Sequence, residues 1–72
     1  MQTYQSRVMD EKAELDGRIE RLDAFLKSAS GSKLEEDEHE RMSAQLKAMV
    51  AYSNILGMRI GRFVVEPPEA SP

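Results

Sequence analysis

The stretch Met42-Ser43-Ala44-Gln45-Leu46-Lys47-Ala48-Met49-Val50-Ala51-Tyr52-Ser53-Asn54-Ile55-Leu56-Gly57-Met58-Arg59-Ile60-Gly61-Arg62-Phe63 decides the fold. Within it Met42, Leu46, Met49, Ser53, Leu56, Ile60 and Phe63 follow one another at steps of 4, 3, 4, 3, 4 and 3. That is the period of a helix face turned toward a partner helix, and Ser53 is its one polar member. Upstream, Val8, Leu15, Ile19, Leu22 and Leu26 run at steps of 7, 4, 3 and 4 and can supply the partner. Between them, Ser28-Ala29-Ser30-Gly31-Ser32 reads as a turn. The spacing predicts helices over about 4–29 and 33–64, the first capped by Thr3. Gly31 suits the left-handed position that closes the first helix, and Ser32-Lys33-Leu34-Glu35 reads as a capping box for the second. Glu35, Glu36, Asp37 and Glu38 crowd the start of that helix, where its dipole favours negative charge. So short a turn makes the two helices antiparallel.

The fold class expected is therefore all-α. An antiparallel two-helix hairpin forms a single domain over residues 1–65, with room for a short helical turn at its N-terminus. Glu66-Pro67-Pro68-Glu69-Ala70-Ser71-Pro72 reads as a disordered, Pro-rich tail.

A chain of 72 residues holds one domain at most and is hard pressed to bury a sufficient core alone. With no cysteine and a single histidine, disulfides and thiolate zinc sites are not available as staples. Self-association is the remaining route. Apolar residues left off the inner seam point the same way: Tyr4 and Met9 on the first helix, Val50, Tyr52, Ile55 and Met58 on the second. An isolated hairpin would leave this set wet, so the sequence predicts a helical homo-oligomer. Ten basic against thirteen acidic residues give a net charge of −3, and the isoelectric point near 5.1 argues against a general DNA binder. No apolar run approaches the length of a membrane span, and Met1-Gln2-Thr3-Tyr4-Gln5-Ser6-Arg7 carries no signal-peptide apolar region. The expected compartment is the cytosol, with no membrane partner.

No catalytic constellation stands out: there is no thiol nucleophile, no Gly-rich phosphate loop and no paired-histidine zinc motif. The sequence predicts no enzyme, no cofactor and no metal. His39 lies between Glu38 and Glu40, but neighbours on a helix point about 100° to either side and do not converge on one ion. It reads as a surface histidine.

The charge layout says more. From Ser43 to Val65 the chain carries Lys47, Arg59 and Arg62 and no acid. Gly57 and Gly61 sit beside these arginines, four apart on one face, and glycine within a helix costs about 1 kcal/mol relative to alanine. Something comes close there, either a neighbouring helix or a ligand; the arginines favour an anion such as phosphate. Antiparallel pairing brings Tyr4, Arg7, Val8 and Lys12 toward Leu56 to Phe63. A ring to stack on a base and cations to hold phosphate are what a nucleotide site needs. The plainer alternatives are an interface plug for Tyr4 and surface ion pairs with Asp10 and Glu11 for Arg7 and Lys12.

The run Tyr4-Gln5-Ser6-Arg7-Val8-Met9-Asp10-Glu11-Lys12-Ala13-Glu14-Leu15-Asp16, continued by Arg18-Ile19-Glu20-Arg21-Leu22-Asp23-Ala24-Phe25-Leu26, resembles the first helix of a family of small phage proteins. Glu40-Arg41-Met42-Ser43-Ala44-Gln45-Leu46, Met49-Val50-Ala51-Tyr52-Ser53-Asn54-Ile55-Leu56 and Arg59-Ile60 resemble its second. These are the phage anti-CBASS sponges, which sequester the cyclic oligonucleotides of bacterial immune cyclases. The resemblance spans about residues 4–63 and implies an all-α homohexamer in the bacterial host cytosol. It implies a cyclic dinucleotide site between paired protomers, with Tyr4 stacking on bases and Arg18, an arginine where lysine is expected, holding phosphate. It implies a separate cyclic trinucleotide site on the threefold axis, drawing on Gly17, Arg21 and Arg59. The serine-rich turn lacks the Phe-containing stretch of the family.

Taken together, the expected ligand-binding residues are Tyr4, Arg7, Lys12, Gly17, Arg18, Arg21, Arg59 and Arg62. The expected function is sequestration of cyclic di- and trinucleotides without cleavage. The alternative is a small helical structural or adaptor protein acting through protein–protein contacts alone.

Overall fold

The computed structural model describes residues 3–65, with the side chains of Val64 and Val65 left aside. Three helices follow one another: α1 (Tyr4–Lys27), α2 (Ala29–Ser32) and α3 (Glu36–Val65). The described residues contain no strand. Helix α1 begins where the sequence places it: the Thr3 hydroxyl accepts the Ser6 N–H at 3.0 Å and caps the first turn. Helices α1 and α3 lie antiparallel, since Tyr4 meets Phe63 and Arg59 while Asp16 meets Ser53.

The inner seam forms as its spacing predicts. Val8, Leu15 and Leu56 are buried, Leu56 completely, and Ile19, Met49, Ile60 and Phe63 pack around them. Ser53 is the buried polar member of the row. Tyr4, Met9, Val50, Tyr52, Ile55 and Met58 all remain exposed on the single chain, as expected for residues off the seam. The core is thus one row of side chains between two helices.

The tip departs from the sequence reading. Helix α1 ends at Lys27 rather than 29, and α3 begins at Glu36 rather than 33. Between them α2 is a single helical turn, so the short helical piece of the described residues sits at the hairpin tip and not at the N-terminus. Ser28 builds this turn. Its extended backbone stops α1, and its hydroxyl donates to the Phe25 carbonyl at 2.6 Å while accepting the Gly31 N–H at 3.2 Å. The expected capping box does not form: Ser32 is the last residue of α2, its hydroxyl donating to the Ala29 carbonyl, and α3 starts only at Glu36. The Glu35 carbonyl instead accepts the His39 N–H at 2.9 Å, and Glu36, Asp37 and Glu38 occupy the first turn of α3. Gly31 does not take a left-handed conformation. It is glycine for space: a Cβ there would lie 2.2 Å from the Phe25 carbonyl oxygen and 2.9 Å from the Leu26 Cα. The expected tail, Glu66 to Pro72, lies outside the described residues.

Those atoms are backbone and cannot swing aside. Gly31→Ala should therefore cost about 1–3 kcal/mol, the range of overpacking in a tight interior. Thermal unfolding followed by circular dichroism should show a lowered midpoint, and an unchanged midpoint would mean that the tip opens without cost.

Candidate functional site

At the open end of the hairpin, α1 starts beside the last turns of α3. The Tyr4 ring is 60 % exposed and meets Phe63 edge-on, with centroids 5.9 Å apart and planes at 64°. The Arg59 guanidinium lies 5.7 Å from the Tyr4 centroid and also donates to the Tyr4 hydroxyl. This is the cation–ring arrangement that fixes an aromatic without burying it. Arg62 stands three residues beyond Arg59 on the same helix. Antiparallel pairing places Tyr4 toward Leu56 to Phe63; the edge-on support that Phe63 gives its ring is what the sequence pattern does not show.

Next along the hairpin comes a polar rung. Lys12 Nζ pairs with Asp16 at 2.8 Å, and the other Asp16 oxygen accepts from the Ser53 hydroxyl. Lys12 is thus paired with Asp16 rather than with Glu11 or Asp10. Its stem crosses Gly57, where a Cβ would stand 3.3 Å from Lys12 Cε. The close approach anticipated at the glycines is real at Gly57 and comes from the neighbouring helix; around Gly61 there is open space. Beside the rung, Glu11 accepts from the Tyr52 hydroxyl. Asp16 and Tyr52 were missed as partners, although the antiparallel register that brings Tyr4 to Arg59 also puts them within reach.

The remaining expected residues gather elsewhere. Ala13, Glu14, Gly17, Arg18 and Arg21 line an open hollow of about 380 Å³ on α1. Gly17 stands about 180° around the helix from the Leu15–Ile19 side. The hollow therefore faces away from α3, about 20 Å along the axis from Tyr4. A Cβ on Gly17 would meet an Arg21 guanidinium nitrogen at 3.4 Å, so the glycine leaves that side chain room to lie across the helix. Within one chain, Arg59 therefore sits with Tyr4, while Gly17 sits with Arg18 and Arg21. Arg7 is exposed on α1, one turn beyond Tyr4.

Among the described residues, no three His, Cys, Asp or Glu side chains group to hold a metal ion, and no helix is long and apolar enough to cross a membrane. The two basic places and the exposed ring suit capture of an anionic aromatic molecule. A family model described as Sequestin matches residues 2–62, which is most of the chain. The chain belongs to the Sequestin family. The family's name denotes sequestration, a binding role rather than a catalytic one, and it fits the resemblance to the anti-CBASS sponges. Neither the curated proteins nor the solved structures contain a match.

The rung has a pH signature. Hydrogen bonds from Lys12 and Ser53 hold the Asp16 carboxyl below its ordinary 3.8. A lowered carboxyl pKa contributes stability above its unfolded value, and that contribution is lost as pH falls through the folded one. The hydrogen bond to Glu11 raises the Tyr52 phenol above its ordinary 10.0, so its contribution is complete below pH 10 and lost above it. Urea unfolding across pH should show stability falling below about pH 4, with Asp16→Asn flattening that limb. Tyr52→Phe should flatten only the alkaline limb. An acid limb unchanged in Asp16→Asn would show that the rung is not formed in solution.

Proposed function

We propose that this protein is a phage anti-defence sponge that binds and holds the cyclic di- and trinucleotide messengers of bacterial CBASS immunity without cleaving them. It works in the host cytosol as a helical homohexamer built from hairpins of residues 1–65. The observation that carries the reading is the Tyr4 ring, exposed yet held by Phe63 and Arg59, in a chain of the Sequestin family. An exposed ring held in place offers its surface to a purine, and nearby guanidiniums offer charge to phosphates.

Arg7, Lys12, Arg18 and Arg62 complete the cationic lining around the stacked dinucleotide, with Arg18 contributed across a subunit boundary. Gly17, Arg21 and Arg59 serve the trinucleotide, three copies of each converging on a threefold axis. Because Gly17 and Arg21 lie apart from Arg59 in one chain, both sites are completed by neighbouring copies. The mechanism is mass action: tight capture lowers free messenger below the level its effector needs. Bound ligand should be recovered intact after long incubation. The exposed apolar faces would also serve the adaptor reading, which expects no small-molecule ligand at all.

Titration calorimetry against both ligand classes tests the assignment. Tyr4→Ala should weaken cyclic dinucleotide binding tenfold to a hundredfold, matching the ~1–3 kcal/mol of base–aromatic stacking. The multimer should persist, because so exposed a ring adds little to the seam. Arg59→Ala should fall hardest on the trinucleotide, with a smaller loss for the dinucleotide through the Tyr4 hydroxyl. Unchanged dinucleotide affinity for Tyr4→Ala in an intact multimer would remove Tyr4 from the site.

A further inference from the structure

Helix α3 carries a second heptad-phased row. Ala44, Ala48, Ala51, Ile55, Met58 and Arg62 follow at steps of 4, 3, 4, 3 and 4, about 150° around the helix from the inner seam. Ala44, Ala48 and Ala51 are exposed, as are Ile55 and Met58 at 49 % and 67 %. A helix that repeats the seam pattern on its outer side has two helices to meet, and the hairpin supplies only one.

Two features of the row say what the second is. Its large residues lie at one end and its small ones at the other. In a parallel pair like would face like, leaving alanine opposite alanine, Met58 opposite Met58 and Arg62 opposite Arg62. In an antiparallel pair Ala51 faces Ile55, Ala48 faces Met58 and Ala44 faces Arg62, so each large side chain fills the space before a small one. Charge agrees with size. The start of α3 holds Glu36, Asp37, Glu38 and Glu40 beside one arginine, Arg41, whereas Ser43 to Val65 holds three cations and no acid. Antiparallel pairing sets Arg62 within a turn of Glu40 in the second copy, and sets the helix dipoles head to tail.

We infer that the outer face of α3 binds the same face of a second copy about a twofold axis, antiparallel, with Ala51 and Ile55 in the central layers. This rests on the multimer of the proposed function and specifies one of its interfaces.

The chain has no cysteine, so introduced thiols report the register directly. Differently tagged Ala48→Cys and Met58→Cys chains, co-expressed and oxidised, should form the mixed disulfide. Either variant alone should not cross-link, because its own thiols lie about 15 Å apart along the axis. Disulfides in the single variants would indicate a parallel pair, and no disulfide in any sample of normal helicity would mean that the face does not self-pair; either overturns the inference. Ala51→Glu, which puts an acid in the central layer, should lower the mass seen by light scattering while helicity is kept. An unchanged mass would count against the interface too. Cyclic nucleotide titration of the unmodified protein is read separately, so loss of ligand binding would sink the sponge and leave the register standing.

Discussion

Two long helices are held together by one row of side chains, with Leu56 completely enclosed and Val8 and Leu15 nearly so. The body is only 14 Å deep across its thinnest direction, little more than one helix. A layer this thin cannot bury both sides of any helix. The exposed ring of Tyr4, the outer row of α3 and the open hollow on α1 all follow from that constraint. The multimer proposed above would supply the burial that one hairpin cannot.

Polar groups fix what the apolar row leaves free. A repeating seam of Leu, Ile and Met can slip by a heptad at modest cost, and a buried polar pair at one position selects the register. Here the buried Ser53 meets the half-exposed Asp16 at the edge of the row, with Lys12 completing the carboxylate, and the contact marks the register. Tyr52 on Glu11 lies beside it, and Arg59 on Tyr4 lies at the open end of the same antiparallel pairing. The Arg59 contact that helps align the helix ends also holds the Tyr4 ring, the surface proposed for ligand stacking.

The seam was legible because its period is unbroken, and with it came the antiparallel pairing, the Thr3 cap and the nearness of Tyr4 to Arg59. The tip was not, since Ser28, Ser30 and Ser32 compete to cap or stop a helix and local spacing does not rank them. Ser28 takes that role through hydrogen bonds to both flanking turns, and Gly31 is fixed by the backbone of Phe25 and Leu26 rather than by its own φ. Helical phase could have separated Gly17, Arg18 and Arg21 from the Tyr4 cluster, because 17 and 21 fall opposite the seam. Resemblance grouped Arg59 with them, and in one chain Arg59 lies with Tyr4 instead. The pairing put Phe63 in the zone facing Tyr4 but did not show the ring contact. Edge-on support for a neighbouring ring depends on where two helix ends meet.

The proposed sponge is several copies of this hairpin that together hold a cyclic nucleotide they do not alter. Native mass spectrometry of the protein mixed with a cyclic dinucleotide measures assembly, stoichiometry and ligand integrity at once. A six-chain species carrying ligands of unchanged mass, released intact on dissociation, is the expected result. A bare 8.1 kDa monomer, or a multimer that retains no ligand or only linear product, would contradict it.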